Sequence, residues 1–415
     1  MTEELRRKGE AAKDAAFTLA TVSTDVKNKA LEQIADALVK NSKAILEANK
    51  KDLENAEKTG MRESMFDRLR LTEERILGIA DGVRQVATLS DPVGEVISMW
   101  KRPNGLMIGQ KRVPIGVIAI IFEARPNVTV DAAALCLKTS NAVILRGGSE
   151  AINTNIALMK IMQKAAYSAG IPEGSLNILE DTSRETATEL MRMNGYVDLL
   201  IPRGGAGLIR AVVENATVPV IETAAGNCHI YIDGESDKKM AKDILINAKV
   251  SRPSVCNAAE TLLVDSACDI TYIRFLLESL MEENVEIYGD ENVVKIFPYA
   301  KPATDADWDT EYNDLKITVG IVSGIDEAIA HINKHNTKHS ECIVTTNYNK
   351  AQKFLNEVDA AAVYVNASTR FTDGFEFGFG AEIGISTQKM HARGPMGLVA
   401  LTSVKYIIYG DGQIR

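Results

Sequence analysis

Cysteines are few in this 415-residue sequence, and they are scattered. The five, Cys136, Cys228, Cys256, Cys268 and Cys342, include no C-x-x-C pair. An odd and dispersed set disfavours both a disulfide framework and a cysteine zinc cluster. The open question is whether one of the five is a reactive thiol.

Long apolar runs and clusters of basic residues are also missing. No apolar segment approaches the roughly 18 residues that a membrane-spanning helix needs. The N-terminal segment MTEELRRKGEAAKDAAF lacks the apolar stretch of a signal peptide. The net charge is −9, from 47 Lys and Arg against 56 Asp and Glu. We therefore expect a cytoplasmic protein of two or three domains that binds neither membranes nor nucleic acid.

The sequence consists mainly of short apolar runs that alternate with helical stretches. Residues 1 to about 90 have the spacing of amphipathic helices. Strand-length apolar runs follow at 117–122, 142–145, 176–179, 197–201 and 218–221, and again at 261–264, 317–322, 342–345 and 361–365. Such runs between helices are typical of buried parallel strands. The sequence predicts an α/β fold of two doubly wound, Rossmann-like domains.

A hairpin and a terminal strand are expected outside this pattern. In residues 95–112, Asn104-Gly105 favours a type I′ turn between segments of alternating polarity. Residues 402–415 have the pattern of a strand with a loose end. Both are candidates for an oligomerisation arm that pairs with a second subunit. The alternatives are a simple surface hairpin and a strand that pairs within its own chain.

Cys256 is the candidate reactive thiol. In SRPSVCNAAETLLV it lies at the junction of a loop and a predicted strand, with Arg252 four residues upstream. The thiolate is the reactive form of cysteine, and a neighbouring positive charge favours it. An isolated cysteine is more often inert and buried, and the other four fit that description better.

The segment FEARPN follows the predicted strand 117–122. Ligands of open α/β sheets bind at such carboxyl ends of strands, where the amide of Asn127 could donate to a developing oxyanion. The same asparagine could simply cap the helix that follows. The local sequence alone favours the cap.

Two glycine-containing loops follow consecutive predicted strands. One loop contains Arg146, Gly147, Gly148, Ser149 and Glu150, and the other contains Gly204, Gly205 and Gly207. Small residues before a helix allow a phosphate to approach the backbone. The second loop lacks the Rossmann fingerprint, because Arg210 stands where the third glycine belongs.

Three histidines, His331, His335 and His339, are spaced four residues apart. On one helix they would align, which is a metal-ligand spacing. However, Asn336 and Thr337 are expected to end that helix. We therefore predict no metal site, and interpret these histidines as helix-end and loop residues.

Together, these segments resemble the aldehyde dehydrogenase superfamily. The most specific pieces are FEARPNVTVDAA, LIPRGGAGLIR, RPSVCNAAETLLV and VSGIDEAIAHINKHNTKHSECI, which occur in that order. Within the superfamily they are most similar to the reductases of a glutamate acyl phosphate. The resemblance implies NADPH-dependent reduction of L-glutamate 5-phosphate to L-glutamate 5-semialdehyde and phosphate through a cysteinyl thioester, in proline biosynthesis. The alternative is an acylating or oxidising aldehyde dehydrogenase.

The resemblance also implies roles for individual residues. Cys256 matches the nucleophile and Asn127 the oxyanion-binding asparagine, which overrides the cap. The remaining matches are to cofactor contacts: Arg146, Gly147, Ser149 and Glu150 at the adenosine ribose, Gly204 and Gly205 at the pyrophosphate, and Glu311 at the nicotinamide ribose. A cation at Arg146 suits the 2′-phosphate of NADPH.

Three residues are less closely defined by the resemblance. Arg125 and Arg252 flank the proposed catalytic residues and are candidates for binding the substrate's anionic groups. Either could instead form a structural ion pair. Glu222 stands where oxidising members keep a general base, but the residues after it do not match theirs, and we assign it no catalytic role.

The resemblance further divides the chain and suggests its partners. Residues 1–228 are expected to form the nucleotide-binding domain with the hairpin arm, 229–365 the catalytic domain, and 366–415 a return segment with the oligomerisation strand. We expect a homo-oligomer, either a dimer or a tetramer. The kinase that makes the acyl phosphate is a candidate partner.

Overall fold

The computed structural model describes residues 1–61, 63–123, 125–223 and 225–415. The chain forms two compact units. Unit 1 comprises residues 1–222, 378–384 and 396–415, and unit 2 comprises residues 223–377 and 385–395. The first boundary lies after residue 222 and not after the predicted 228, and residues 366–377 and 385–395 of the predicted return segment belong to unit 2. Across the described ranges, no helix is long and apolar enough to cross a membrane.

Unit 1 begins with five helices and continues with alternating strands and helices. The helices are α1 (Glu3–Leu19), α2 (Thr24–Lys40), α3 (Ser42–Lys58), α4 (Glu63–Leu69) and α5 (Glu73–Thr88). After a hairpin of β1 (Val96–Lys101) and β2 (Met107–Pro114) come β3 (Val117–Phe122), α6 (Pro126–Lys138), β4 (Ala142–Arg146), α7 (Ile152–Ser168), β5 (Leu176–Ile178), α8 (Arg184–Leu190), β6 (Leu199–Arg203) and α9 (Ala206–Asn215).

The main sheet of unit 1 is parallel, with strand order β5-β4-β3-β6. All six residues of the central strand β3 are buried, as expected of a strand that is covered on both faces. The predicted strand 218–221 is wrong. It forms only an isolated bridge to Leu200, because Pro219 has no N–H to donate to a ladder.

Unit 2 repeats the alternation of strands and helices. Its elements are β7 (Cys228–Ile232), α10 (Lys238–Val250), β8 (Ala259–Asp265), α11 (Ile270–Glu282), β9 (Glu286–Gly289), α12 (Glu291–Ile296), β10 (Lys301–Pro302), β11 (Lys316–Val322), α13 (Ile325–His335), β12 (Ser340–Val344), α14 (Tyr348–Glu357), β13 (Ala362–Val365), β14 (Ile385–Ser386) and β15 (Gly394–Pro395). Seven strands form a parallel sheet of order β10-β9-β11-β8-β7-β12-β13. Each unit is therefore an α/β body with a parallel sheet, as predicted.

The C-terminal strand β16 (Thr402–Tyr409) pairs antiparallel with β2 of its own chain. Together with β1 it makes a three-stranded sheet of order β1-β2-β16, which leaves β1 and β16 as the two edges. The predicted hairpin is therefore confirmed. We name this sheet the arm.

The turn of the hairpin differs from the predicted type I′ turn. That turn needs positive φ at both central residues. Gly105 has a φ of +93°, whereas Asn104 is not among the described residues with positive φ. The Gly105 N–H donates to the Arg102 carbonyl at 2.9 Å, and the Arg102 N–H donates to the Leu106 carbonyl at 2.7 Å. The result is a three-residue loop with glycine last, which Pro103 favours by fixing a negative φ at its first position.

Candidate active site

Cys256 is the most accessible of the five cysteines. It is half-buried in the loop before β8, whereas the other four are buried. Burial raises the pKa of Cys268 and of Cys342 to about 12, and it raises the pKa of Cys136 and Cys228 as well. These four thiols are therefore poor nucleophiles at neutral pH. Cys256 is therefore the cysteine with the greatest access to solvent, and its role as the nucleophile stays a prediction.

The backbone carbonyl of Cys256 is held from two sides within unit 2. The Cys228 thiol donates to it at 3.2 Å. Gly226 lies so close that a Cβ atom there would be 1.4 Å from the same oxygen. The Gly226 N–H in turn donates to Glu311 at 2.7 Å. Glu311, predicted to contact the nicotinamide ribose, is therefore linked to the loop of Cys256 through one glycine.

Three hydrogen bonds connect residues 369–372 to Asn257, the residue that follows Cys256. The Asn257 side-chain amide donates to the carbonyls of Arg370, at 3.2 Å, and Thr372, at 3.0 Å. The Thr369 hydroxyl donates to the Asn257 carbonyl at 2.7 Å. Because Asn257 is buried, these bonds are shielded from water and hold the two segments in register.

Arg370 itself reaches back towards the cysteine loop. Its Nε donates to the Ser251 hydroxyl at 3.1 Å, and its Nη1 donates to the Asn257 side-chain oxygen. Burial and then repulsion from Arg252 lower the pKa of Arg370, while Asp373 and Cys256 raise it. The sequence reasoning missed Arg370, because it lies 114 positions after Cys256 in a segment without a recognised motif.

Asn127 and Arg125 lie at the start of α6 in unit 1. Arg125 is the N-cap residue and Pro126 the first helical residue, so Asn127 is not the cap that the local sequence favours. The Asn127 amide donates to Asp131 at 3.1 Å, and burial raises the pKa of Asp131 to about 6. A side-chain amide has two N–H groups. One such bond leaves the second N–H for another acceptor.

Arg146 ends β4 and points towards the segment after β5. Its Nη2 donates to the carbonyls of Thr182 and Ser183, and burial lowers its pKa. Within the described part of the chain, the buried Nε of Arg146 has no hydrogen-bond partner. A half-buried cation with an unused donor is suited to an anionic group such as a 2′-phosphate on the adenosine ribose, and that contact stays a prediction.

The loop after Arg146 is tightly packed. A Cβ atom at Gly147 would be 2.3 Å from the Asn155 side chain, so no larger residue fits there without a shift. Ser149 and Glu150 form a 3₁₀ turn that leads into α7. The loop therefore brings all four predicted contacts of the adenosine ribose to one strand end.

The second glycine loop leads into α9. Gly205 is the N-cap residue of this helix, and its N–H donates to the Glu123 carboxylate at 2.9 Å. The Gly205 N–H therefore binds an anionic side chain and not a backbone carbonyl. The geometry fits the predicted contact of Gly204 and Gly205 with a pyrophosphate.

Two of the three regularly spaced histidines share a helix. His331 and His335 lie on α13, which ends at His335 as predicted, and His339 lies beyond it. His335 bonds Asp309 at 2.8 Å, and burial lowers the pKa of His331 to about 3, which keeps it neutral. No cluster of three or more His, Cys, Asp or Glu side chains in the described ranges could hold a metal ion.

Unit 2 has a half-exposed cysteine before a buried parallel strand, and unit 1 has two glycine loops at strand ends, which are features typical of a nicotinamide-dependent oxidoreductase. The model of the aldehyde dehydrogenase family matches residues 2–291 and 317–406. The chain belongs to the aldehyde dehydrogenase family, as its motifs predict. The family implies a nicotinamide cofactor and a small-molecule substrate.

Particular relatives are similar over the whole chain. Gamma-glutamyl phosphate reductase of Clostridium botulinum (strain Eklund 17B) is 61% identical over 413 residues, and that of Clostridium perfringens (strain SM101) is 62% identical over 415 residues. Both alignments cover 100% of each chain. The crystal structure of gamma-glutamyl phosphate reductase from Thermotoga maritima is 49% identical, with a TM-score of 0.98 and full coverage of both chains.

A more distant structure shares the fold. An acetylating aldehyde dehydrogenase from Geobacillus thermoglucosidasius is 17% identical, with a TM-score of 0.71, and the match covers 100% of this chain and 98% of that one. The fold is therefore common to enzymes whose names indicate different acyl acceptors.

Proposed function

We propose that this chain reduces L-glutamate 5-phosphate to L-glutamate 5-semialdehyde and phosphate, the second step of proline biosynthesis, with NADPH as the reductant. The full-length relatives named gamma-glutamyl phosphate reductase support this substrate. The observation that carries the chemistry is the half-exposed Cys256, whose four companions are buried with raised pKa values.

Cys256 acts as the nucleophile. Its thiolate attacks the acyl carbon of the substrate, and a C–S bond forms while the carbonyl oxygen becomes an oxyanion. The backbone N–H of Cys256 and the second N–H of Asn127 are proposed to donate to that oxyanion. The bonds that fix the Cys256 carbonyl orient the loop before substrate binds, so little reorganisation is needed during the reaction.

The oxyanion collapses and breaks the bond to phosphate, which leaves a thioester on Cys256. A nicotinamide held by the residues described below would supply the hydride that reduces the thioester carbon. The resulting thiohemiacetal then collapses, which releases the semialdehyde and returns the thiolate. No water attacks in this sequence, so a general base at Glu222 is not needed.

Residues of unit 1 are proposed to hold the cofactor. Gly204 and Gly205 would bind the pyrophosphate at the start of α9, and Arg146 would bind the 2′-phosphate that distinguishes NADPH from NADH. The unused Nε of Arg146 supports this preference. Glu311 is proposed to bind the nicotinamide ribose. The kinase that makes the labile acyl phosphate remains a proposed partner.

The reverse reaction tests the proposal directly. Glutamate semialdehyde should reduce NADP only when inorganic phosphate is present, because phosphate must cleave the thioester to form the acyl phosphate. NAD should give a much lower kcat/KM than NADP. The measurement is absorbance of the reduced nucleotide at saturating aldehyde, with and without phosphate. Equal rates without phosphate, or a requirement for coenzyme A, would instead indicate an oxidising or acylating enzyme.

We also propose that the arm joins two or more copies of the chain. Both edge strands expose large apolar side chains: Val96, Ile97, Met99 and Trp100 on β1, and Val404, Tyr406, Ile408 and Tyr409 on β16. Exposed apolar surface beside unpaired strand edges is typical of an interface.

Replacing Ile408 with glutamate should weaken this association. Ile408 is 60% exposed, so a charge there is tolerated in the single chain but is costly in an apolar interface. Light scattering after gel filtration should give a multiple of 45.2 kDa for the unmodified chain and a smaller mass for Ile408→Glu. Lys405→Gln on the same strand is the control. A monomeric unmodified chain would contradict the proposal.

A further inference from the structure

A cluster of two arginines flanks the nucleophile in unit 2, and most of its charge is unpaired. Arg252 is exposed and, throughout the described ranges, forms no hydrogen bond or ion pair. Among the described residues, the Arg370 guanidinium donates to the neutral oxygens of Ser251 and Asn257 and forms no ion pair. Repulsion between the two guanidinium groups, which Asp373 only partly offsets, raises the free energy of the empty site. An anion bound between them would relieve that repulsion.

We propose that Arg370 and Arg252 together bind the phosphoryl group of the acyl phosphate, and bind inorganic phosphate in the reverse reaction. The inference rests on the proposed function, and it adds a residue that no motif indicates. Arg370 is anchored through Nε and Nη1, which leaves one N–H of Nη1 and both N–H groups of Nη2 without a hydrogen bond to another described residue.

The position of the cluster favours the phosphoryl group over the carboxylate of the substrate. In glutamate 5-phosphate the phosphorus is joined through a single oxygen to the carbon that the thiolate attacks. The α-carboxylate lies at the far end of the side chain. The Arg370 guanidinium donates to Asn257, the residue directly after Cys256, and to Ser251, five residues before it. The cluster therefore faces the reacting end of the substrate.

Phosphate also gains most from two arginines. A guanidinium presents parallel N–H donors that match two oxygens of a phosphoryl group, and a dianion accepts from both arginines at once. Negative charge accumulates on the phosphoryl oxygens as the bond to the acyl carbon breaks. The same two side chains would therefore assist its departure.

The reverse reaction separates the two anions, because phosphate and the amino acid are then different substrates. In Arg370→Gln we expect the KM for phosphate to rise roughly tenfold or more, with the KM for glutamate semialdehyde changed less than about twofold. Arg370→Lys should be intermediate, since lysine retains the charge but lacks the paired donors. Arg274→Gln, an exposed arginine bonded to the Ile296 carbonyl, is the matched control.

Arg252→Gln provides a second variant that does not disturb the Asn257 contacts. It should raise the KM for phosphate in the same selective way. Alkylation of Cys256 by iodoacetamide supplies a readout without turnover: phosphate should protect the unmodified enzyme, and protection should need a roughly tenfold higher concentration in either variant.

Two results would contradict the inference, and a third would contradict the proposed function. An unchanged phosphate requirement in both variants would overturn the inference, and so would a selective rise in the KM for the semialdehyde, which would assign the cluster to the amino-acid end. If the unmodified enzyme needs no phosphate at all, the proposed function fails instead. Arg252→Gln keeps the inference testable if Arg370→Gln fails to fold, because Arg252 is exposed and has no hydrogen bond or ion pair within the described ranges.

Discussion

Substituting alanine for Cys256 should abolish formation of glutamate semialdehyde, with a loss in kcat of roughly 10⁴-fold or more. No other described side chain can replace it, because the remaining four thiols are buried and their pKa values are raised. Nucleotide binding should survive, since the proposed cofactor residues of the two glycine loops lie in unit 1. The measurements are single-turnover assays and a fluorescence titration with NADPH.

Two controls keep this result interpretable. Cys268→Ala removes a buried thiol of the same unit and should leave kcat within about twofold, since Cys268 packs in the hydrophobic core and its thiol makes one long hydrogen bond, to the Asp233 carbonyl, among the described residues. Iodoacetamide should modify Cys256 first in the unmodified chain. Normal turnover by Cys256→Ala would refute the thioester mechanism, and five equally unreactive thiols would point to a non-catalytic protein.

Strands that are buried along their whole length were predictable, because each gives a continuous apolar run in the sequence. The apolar run 117–122 is β3 to the residue, and the runs 261–264 and 317–322 lie within β8 and β11. The short strands β9 and β10 escaped prediction. Each has at most four residues, so their apolar patterns are too brief to separate from loops.

Elements whose exact form depends on a proline were harder to predict. Residues 218–221 have the apolar pattern of a strand, but Pro219 limits them to one bridge. The Asn-Gly pair indicated a hairpin correctly, yet its turn type depended on Pro103 one position earlier. Local pattern thus gave the element, and the covalent constraint of proline decided its detail.

The residues of the candidate site also differ in whether the local sequence reveals them. Cys256, Asn127 and the glycine loops lie in motifs that can be read locally, and these stay proposals for function. Arg370 and Gly226 could not be identified from local motifs. Arg370 approaches Cys256 only because Asn257 binds the segment 369–372. Gly226 matters only because of a carbonyl 30 positions further along the chain. Both are consequences of tertiary packing.

Gly226 leads to the second large effect. In Gly226→Ala the added Cβ atom would lie 1.4 Å from the Cys256 carbonyl oxygen and 2.4 Å from its carbonyl carbon. These are backbone atoms, so the clash cannot be relieved by a side-chain rotation, and the loop that carries the nucleophile must move. Overpacking of this kind costs about 1–3 kcal/mol or more of the free energy of unfolding. A displacement near 1 Å at the nucleophile costs on the order of 100-fold in rate.

We therefore expect Gly226→Ala to lose at least about 100-fold in kcat, with a lower midpoint of urea unfolding. Gly82→Ala is the matched control. Gly82 lies within α5 with no atom within 4 Å of the added Cβ, so alanine there should raise the free energy of unfolding by roughly 0.5–1 kcal/mol and leave kcat unchanged. Loss of the Glu311 contact would appear separately, as weaker NADPH binding. Full activity in Gly226→Ala would mean that the position of the Cys256 carbonyl does not govern the reaction.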